Sequence, residues 1–367
     1  MTYKRREDET ETETILDENL KTFTKQLFSL KTFFPLSIDV MAQITKVSQD
    51  AIDTFAEKNC EVKKNKKNKK TQVKVPNHHI SEWEKKLRTY EESRVVAELM
   101  PSSLIISMVS QYDVFLSSFI KDLIRENPLT LNHFEKRDYG FEKIVQFETI
   151  NEFKEYVLDT EIEQILRKSR SDQIDTLEKM FKFTVKDKIS SLSQFVELTE
   201  RRNIFVHNNG YVNSAYINTC KRNKVEELPK PGEKLDASSL YINKSFDCLY
   251  EIGVKIAHSL WRKTYRNRLI EADKNLIYLS FELIQRGRYH LAINILSFYE
   301  SEWGHKSQDE DRVFLLLNLA QAYKWSGDED KTIETLNLID WSAKETELKL
   351  GNAVLREEWG DAVKHMS

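Results

Sequence analysis

The stretch SSLIISMVSQYDVFLSSFIKDLI, residues 102–124, carries apolar side chains at every third or fourth position. On a helix with about 3.6 residues per turn these positions form one broad face that belongs against a hydrophobic core. The face comprises Ile105, Met108, Val109, Tyr112, Leu116, Phe119 and Leu123. Only 9 glycines and 6 prolines interrupt the chain of 367 residues. The sequence therefore predicts an all-α protein.

The same periodicity extends on both sides of this stretch. It predicts a helix over 80–125 that Pro128 terminates, a less regular helical region over 141–168, and a fourth helix over about 238–266. Between the last two, a long helix is expected to begin near Ser171 or Asp172 and to end at Asn208-Asn209-Gly210. We expect these helices to form a four-helix bundle domain over residues 80–266.

Residues 1–79 read as an N-terminal helical extension followed by a lysine-rich linker. Apolar residues at helical spacing cover 15–59, and Pro35 is expected to separate two helices there. The run Lys63–Lys70, KKNKKNKK, contains no apolar position. Such a charge block is typical of a solvated spacer, but a phosphate-gripping arm has the same composition. Both readings stay open.

The tail, residues 267–367, contains an internal repeat. Gly287, Gly327 and Gly360 each follow one helical pattern and precede another. The spacing resembles tetratricopeptide repeats, although the Trp and Pro positions of that repeat are absent. Stacked helical hairpins of this kind leave a groove, so this domain is expected to dock a protein partner.

Composition limits the cellular setting. The chain has a net charge of −3, and its three cysteines, Cys60, Cys220 and Cys248, are scattered without metal-ligand or disulfide spacing. No secretory signal precedes the first helix and no run of about 20 apolar residues is present. We therefore expect a cytoplasmic protein without a membrane segment, whose contact with any nucleic acid is local.

One short segment contains side chains of the types needed for catalysis. Within SQFVELTERRNIFVHNNGYVNSAYI, residues 193–217, Arg202 is followed by Asn203 and, five positions on, by His207. This pattern resembles the motif of the HEPN superfamily of helical-bundle ribonucleases, which is Arg, four to six residues, then His, with a polar residue after the Arg. The Tyr112-Asp113 pair and the segment DQIDTLEKMF before the motif also fit. The resemblance covers about residues 100–266.

The resemblance implies an endoribonuclease that acts as a homodimer, with both motifs lining one cleft. It also implies a role as a toxin or an antiviral-defence effector. Because the sequence shows no cluster of metal ligands, we expect cleavage without a metal or cofactor. RNA carries its own nucleophile, the 2′-hydroxyl, so cleavage needs a base, an acid and positive charge on the phosphate. Histidine supplies the proton transfers and arginine the charge. Asn203 shares a helix face with His207 and is expected to orient the ring.

The residues alone also allow structural roles. Arg202 is in line with Phe195 and Leu198 and can pair with an acid such as Glu200 or Asp113, and a histidine at a helix end interacts favourably with the helix dipole. The alternative function is a non-catalytic dimeric scaffold whose repeats bind partners. On an ideal helix Arg202 and His207 are about 140° apart, which favours a composite cleft from two chains.

Other classes of chemistry are poorly supported. No GxxxxGK[ST] loop, HExxH or CxxC occurs, so the sequence does not favour an NTPase, a zinc hydrolase or a redox enzyme. His78-His79 lacks acidic or cysteine partners at ligand spacing. His258 and His290 are expected at the edges of cores. The sequence names neither the RNA nor the trigger.

Overall fold

A computed structural model describes residues 14–64, 71–127, 138–266, 268–306 and 309–366. The described residues are mainly helical, which confirms the all-α class. Their first eight helices are α1 Ile15–Asn59, α2 Ile80–Glu126, α3 Phe141–Ile144, α4 Ile150–Leu166, α5 Arg170–Phe181, α6 Leu192–His207, α7 Ser214–Arg222 and α8 Ser239–Thr264. The remaining six are α9 Leu269–Gln285, α10 Tyr289–Trp303, α11 Asp309–Ser326, α12 Glu329–Leu336, α13 Thr346–Leu355 and α14 Trp359–Lys364.

The break expected at Pro35 is wrong, because α1 continues through it. Pro101 likewise lies inside α2. Each proline removes one backbone donor, so the carbonyl four residues earlier loses its helical partner. Both prolines are only partly buried, and water can therefore satisfy that carbonyl.

Two short strands, which the sequence analysis missed, follow α1. β1, Glu61–Lys64, pairs antiparallel with β2, Thr71–Lys74, in the register Glu61↔Lys74. The Lys63–Lys70 run thus begins in a strand, and its residues 65–70 lie outside the described residues. His78 and His79 lie in a 3₁₀ turn, with ring centroids 4.1 Å apart.

The single long helix expected before Asn208 is also wrong, because it is divided into α5 and α6. Lys182 adopts a left-handed conformation with φ 54° at the end of α5. The Glu178 carboxylate then accepts hydrogen bonds from the backbone N–H groups of Val185 and Lys186, at 2.6 and 2.7 Å. These bonds satisfy the backbone N–H groups of a non-helical segment. The spacing of apolar residues along the sequence does not reveal such a segment. The N-cap is Ser169, whose hydroxyl accepts from the Asp172 N–H.

The described residues divide into two compact units, each built from separate stretches of the chain. Unit 1 takes Met1–Lys25, Gln111–Glu197 and Asp247–Ser367; unit 2 takes Gln26–Ser110 and Leu198–Phe246. The boundaries fall inside α1, α2, α6 and α8. The predicted domains, divided after residues 79 and 266, are contiguous and stay a prediction.

The core of unit 1 gathers around α8. A Cβ at Gly253 would lie 2.4 Å from the ring of Phe23, so the two helices approach closely there. Phe23 stacks on Phe115 with centroids 4.1 Å apart. Charged side chains are also buried on α8, where Lys255 pairs with Glu251 at 2.8 Å. The core of unit 1 is therefore apolar with internally paired charges.

The tail of unit 1 is a series of helical hairpins, α9 to α14. Gly287 and Gly327 occupy the turns α9–α10 and α11–α12 with φ of 69° and 88°, as the repeat predicts. Gly360 does not, because it lies inside α14. The left-handed residue of the last turn is Glu357, with φ 63°. The repeated glycine therefore marks two of the three expected turns.

Helices α1 and α2 are each long and apolar enough to be candidate membrane spans by length and composition alone. The relevant window is 11% buried in α1 and 50% buried in the helix that ends at Glu126. A buried core helix passes the same test, so composition leaves the question of a membrane undecided.

Candidate active site

The predicted motif lies at the end of α6, in unit 2. The helix ends at His207, and the Gly210 N–H donates to the Ile204 carbonyl at 3.1 Å. Asn209 and Gly210 both have positive φ, 49° and 83°, which is the conformation of a Schellman-type helix end. Asn208-Asn209-Gly210 thus ends the helix as the sequence predicts and fixes where His207 stands.

The three motif residues differ in exposure. Arg202 and Asn203 are partly buried, whereas His207 is exposed to solvent. Because all three lie in one continuous helix, the separation of about 140° between Arg202 and His207 is retained. Five residues of helix also separate them by a rise of about 7.5 Å. The structure therefore does not bring the arginine and the histidine of one chain onto a common face.

Asn203 is engaged by its neighbour. Its side-chain oxygen accepts a hydrogen bond from Nη1 of Arg202 at 3.1 Å. Among the described residues no hydrogen bond joins Asn203 to His207. Asn203 therefore holds the guanidinium of Arg202 in this structure, and its predicted role in orienting the histidine is not visible here.

The neighbouring Arg201 has a structural role, which was not predicted from the sequence. Its guanidinium lies 3.9 Å from the centroid of the Tyr241 ring and donates to the Asp236 carbonyl at 2.9 Å. These contacts tie α6 to the loop before α8 and to the first turn of α8. Adjacent arginines look alike in sequence, and only the packing distinguishes them.

A small apolar core packs against α6 beside the motif. Ile204 is buried with a cluster from α7 and the loops on either side of it, which comprises Val212, Tyr216, Ile217, Cys220 and Leu235. Helix α7 was not expected from the sequence; the Asn213 side chain begins it by accepting from the Tyr216 N–H at 2.9 Å. Ile204 and His207 are three residues apart and lie on neighbouring sides of α6. His207 is nevertheless exposed, and it is the last residue of the helix.

An exposed aromatic residue accompanies the histidine. Tyr211, four residues after His207, is 44% exposed and forms an isolated backbone bridge with Lys234. Exposed aromatic rings are platforms for unstacked nucleic-acid bases. In the sequence, the exposure of Tyr211 is indicated only by its position directly after the Asn-Gly that ends the helix, and it was not predicted.

The Tyr112-Asp113 pair lies in unit 1. Tyr112 is buried with its ring 5.0 Å from that of Phe195, and burial raises the pKa of its hydroxyl far above the usual value. Asp113 forms an ion pair with Arg170 at 2.7 Å. Tyr112 is therefore a core residue that does not ionise near neutrality.

Metal ligation has no visible basis in the described part of the chain. No group of three or more His, Cys, Asp or Glu side chains there is placed to hold an ion. None of the three cysteines, all within the described residues, forms a disulfide, and Cys220 and Cys248 are buried. The protein class defined so far is an all-α chain with an Arg-Asn-x-x-x-His helix end. Comparison with protein-family models, curated proteins and solved structures finds no match to this chain.

Proposed function

We propose that this chain is a HEPN-type endoribonuclease in which Arg202 and His207 act on the scissile phosphodiester. The observation that carries the proposal is the intact Arg-Asn-x-x-x-His pattern on the last turns of one helix, with the histidine exposed. A histidine in solvent can exchange protons with a substrate, and a guanidinium held by Asn203 is pre-positioned for phosphate oxygens.

The proposed step consumes no outside nucleophile. A neutral histidine removes the 2′-hydroxyl proton while the 2′-oxygen forms a bond to phosphorus. The bond from phosphorus to the 5′-oxygen breaks, and a protonated histidine delivers a proton to that oxygen. The products are a 2′,3′-cyclic phosphate and a 5′-hydroxyl. Arg202 neutralises the charge that builds on the non-bridging oxygens.

One step therefore uses a base and an acid, and one chain offers one motif histidine. Two chains related by a two-fold axis would supply His207 twice, once in each protonation state. They would also overcome the angle of about 140° that separates Arg202 from His207 within one helix. A homodimer with both motifs on a shared cleft is accordingly part of the proposal.

RNA and protein partners would use different parts of the chain. Tyr211 offers a ring on which a base near the scissile bond can stack. In the tail, an open groove of about 700 Å³ lies between α10, α11 and the start of α12, lined by residues such as His290, Tyr323 and Lys331. This tetratricopeptide-like region is proposed to dock a protein that restrains or recruits the nuclease. The proposed role as a toxin or antiviral-defence effector follows from the HEPN resemblance alone, whereas the proposed cytoplasmic location follows from the composition of the sequence.

Cleavage of tRNA and mRNA by the purified chain in EDTA tests the proposal. Arg202→Ala and His207→Ala are each expected to reduce the rate at least about a hundredfold, as expected for loss of a positioned acid/base or charge-stabilising group. Tyr211→Ala is expected to raise KM more than it lowers kcat. His305→Ala, at an exposed histidine of the 3₁₀ turn Gly304–Lys306, is the matched control and should cleave normally.

Two results would contradict the proposal. One is a His207→Ala chain that cleaves like the wild type; the other is a wild type inactive in EDTA and restored by magnesium. The second candidate function, a non-catalytic dimeric scaffold, is favoured by one observation: Asn203 is engaged with Arg202 and not with His207. It would be supported if the folded wild-type chain cleaves no RNA under any of these conditions.

A further inference from the structure

A short antiparallel pairing of the backbone follows the motif helix within unit 2. Residues 210–212 pair with residues 233–235 through two hydrogen bonds of 2.8 and 2.9 Å, which lie on either side of Tyr211 and Lys234. These two residues therefore form the non-hydrogen-bonded kind of antiparallel pair. The side chains of such a pair point to the same side and approach more closely than in the hydrogen-bonded kind. We call this pair the Tyr211–Lys234 bridge.

A buried core fixes the direction in which the bridge points. Val212 and Leu235, the residues that follow the pair in each stretch, are 4% and 8% exposed and belong to the apolar core beside α6. Successive side chains of extended backbone point in opposite directions. Because Val212 and Leu235 point inward, Tyr211 and Lys234 point to solvent, and both are exposed.

The bridge lies at the end of the helix that carries His207. Gly210, three residues after His207, begins the pairing, and its N–H donates back to the Ile204 carbonyl at 3.1 Å. A Cβ at Gly210 would lie 3.7 Å from Cγ of Lys234. The aliphatic stem of Lys234 therefore passes beside the residue that ends α6, and a ligand on the bridge is bound next to that helix end.

The charge and the ring of the bridge are both unused within the described part of the chain. The Lys234 ammonium forms no ion pair or hydrogen bond with a described residue, and no described aromatic or cationic group covers the Tyr211 ring. Another exposed tyrosine shows the contrast. Lys21 lies 5.1 Å from the centroid of the Tyr278 ring, and the same ammonium pairs with Asp17 at 2.7 Å. The bridge is accordingly suited to a ligand that brings both an anion and a planar ring.

We propose that the Tyr211–Lys234 bridge binds one unpaired nucleotide of RNA, with the base stacked on the Tyr211 ring and a phosphate on the Lys234 ammonium. A nucleotide joins a planar base to an anionic phosphate, and proteins hold single strands by combining aromatic stacking with basic side chains on the phosphates. A base inside a duplex is stacked on both faces and cannot cover the ring. The bridge therefore selects single-stranded RNA.

The choice of RNA as the ligand rests on the proposed function, and the bridge adds the substrate class, a strand that is unpaired beside the end of α6. A different role for Lys234 is structural, because a lysine at the C-terminal end of a helix interacts favourably with the helix dipole. That role predicts a loss of stability when the charge is removed. Nucleotide binding predicts weaker binding of RNA at an unchanged midpoint of urea unfolding.

RNA binding by the full chain provides the test, in a His207→Ala background so that the probe is not cut. The probe is fluorescein-labelled oligoadenylate, whose anisotropy gives the dissociation constant. We expect Tyr211→Ala to raise that constant at least about fivefold, the effect of losing a stacked base, and Tyr211→Phe to change it little. Lys234→Gln should weaken binding and lower the slope of log affinity against log salt by about 0.7, the value of one phosphate contact on a single strand.

Two matched controls lie in unit 1. Tyr278→Ala removes a ring that is 47% exposed, and Lys179→Gln removes an exposed ammonium of α5; both should bind the probe as the parent chain does. A parent chain that does not bind the probe, or a Tyr211→Ala chain that binds it equally well, overturns the proposal. Equal affinity for oligoadenylate and for its duplex with oligouridylate does the same. Binding of polyglutamate that Tyr211→Ala and Lys234→Gln both weaken would assign the bridge to an acidic protein instead.

Photo-cross-linking keeps the proposal testable if a variant of the bridge does not fold. Single-stranded RNA that contains 5-iodouridine should cross-link, in the wild-type chain, to the peptide that contains Tyr211 and not to the peptide that contains Tyr278. Cross-linking only at other sites overturns the proposal. Cleavage is measured separately. RNA binding at the bridge without cleavage would contradict the proposed function alone, whereas cleavage that depends on neither Tyr211 nor Lys234 would contradict the bridge alone.

Discussion

At the scale of single residues, the buried polar side chains of α8 show how tightly this protein controls charge. Nε2 of His258 lies 3.1 Å from the Asn275 side-chain oxygen, and the Asn275 amide donates to Asp17 at 2.6 Å. His258 is 3% exposed, deeper than the core edge expected from sequence. Burial, assisted by the nearby charge of Arg262, holds the pKa of His258 well below 6.5, although the Asn275 hydrogen bond opposes this.

This burial predicts a pH dependence of stability. Below about pH 6.5 the unfolded chain binds a proton at His258 that the folded chain does not, so the free energy of unfolding falls as pH falls. The loss approaches about 1.4 kcal/mol per pH unit for this one group, and it is absent above pH 6.5. Urea unfolding between pH 7.5 and 5.5 measures it.

His258→Gln removes the titrating group. It should therefore reduce the slope of the free energy of unfolding against pH by up to about 1.4 kcal/mol per pH unit. His305→Gln changes an exposed histidine instead and should leave the slope as in the wild type. Equal slopes for the wild type and His258→Gln would show that His258 is not the proton-linked group.

At the scale of helices, the close approach at Gly253 of α8 decides the packing of unit 1. Any side chain at this position meets Phe23 of α1, at 2.4 Å from one ring carbon and 3.0 Å from the next. We expect Gly253→Ala to lower the free energy of unfolding by about 1–3 kcal/mol, the usual effect of overpacking a core. Thermal and urea unfolding measure the change.

The matched control is Gly351, which also lies inside a helix, α13. A Cβ there would meet only the Leu317 side chain at 3.9 Å, an ordinary contact. Gly351→Ala should therefore stabilise by up to about 1 kcal/mol through helix propensity. In Gly253→Ala, replacing Phe23 by Leu should recover part of the loss. If both alanine variants behave alike, the close approach is not the cause.

At the scale of the whole chain, the tail supplies partners that the helix before it needs. Arg262 of α8 and Asp273 of α9 form an ion pair with both side chains at most 1% exposed. Arg262 also lies 4.9 Å from the centroid of the Tyr299 ring in α10. A charge buried to this extent is tolerated only with its partner in place.

A chain that ends after residue 266 should therefore be destabilised by at least about 3 kcal/mol or fail to fold, because it loses Asp273 together with the α9 and α10 side chains that cover Arg262 and its side of α8. A chain that ends after residue 344 keeps that pair, loses only α13 and α14, and should be affected less. Circular dichroism with urea titration compares them. If the chain that ends after residue 266 unfolds at the wild-type midpoint, residues 1–266 do not depend on the tail for their stability.

Local signals determined a large part of this structure. The period of apolar residues is a property of neighbouring positions, and it correctly predicted the all-α class and helices such as α2 and α8. The end of α6 at Asn208-Asn209-Gly210 was likewise readable, because left-handed φ favours Asn and Gly. The motif residues could therefore be placed on one helix end from sequence alone.

Tertiary structure decided what neighbouring positions cannot specify. Pro35 does not break α1, and the continuous-looking pattern before Asn208 is divided because Glu178 bonds the backbone of a non-helical segment. Arg201 and Arg202 are adjacent and chemically alike, yet Arg201 stacks on Tyr241 and Arg202 donates to Asn203. The physical reason is common to these cases: local propensities are worth about 1 kcal/mol or less per residue, so contacts made only in the folded chain override them.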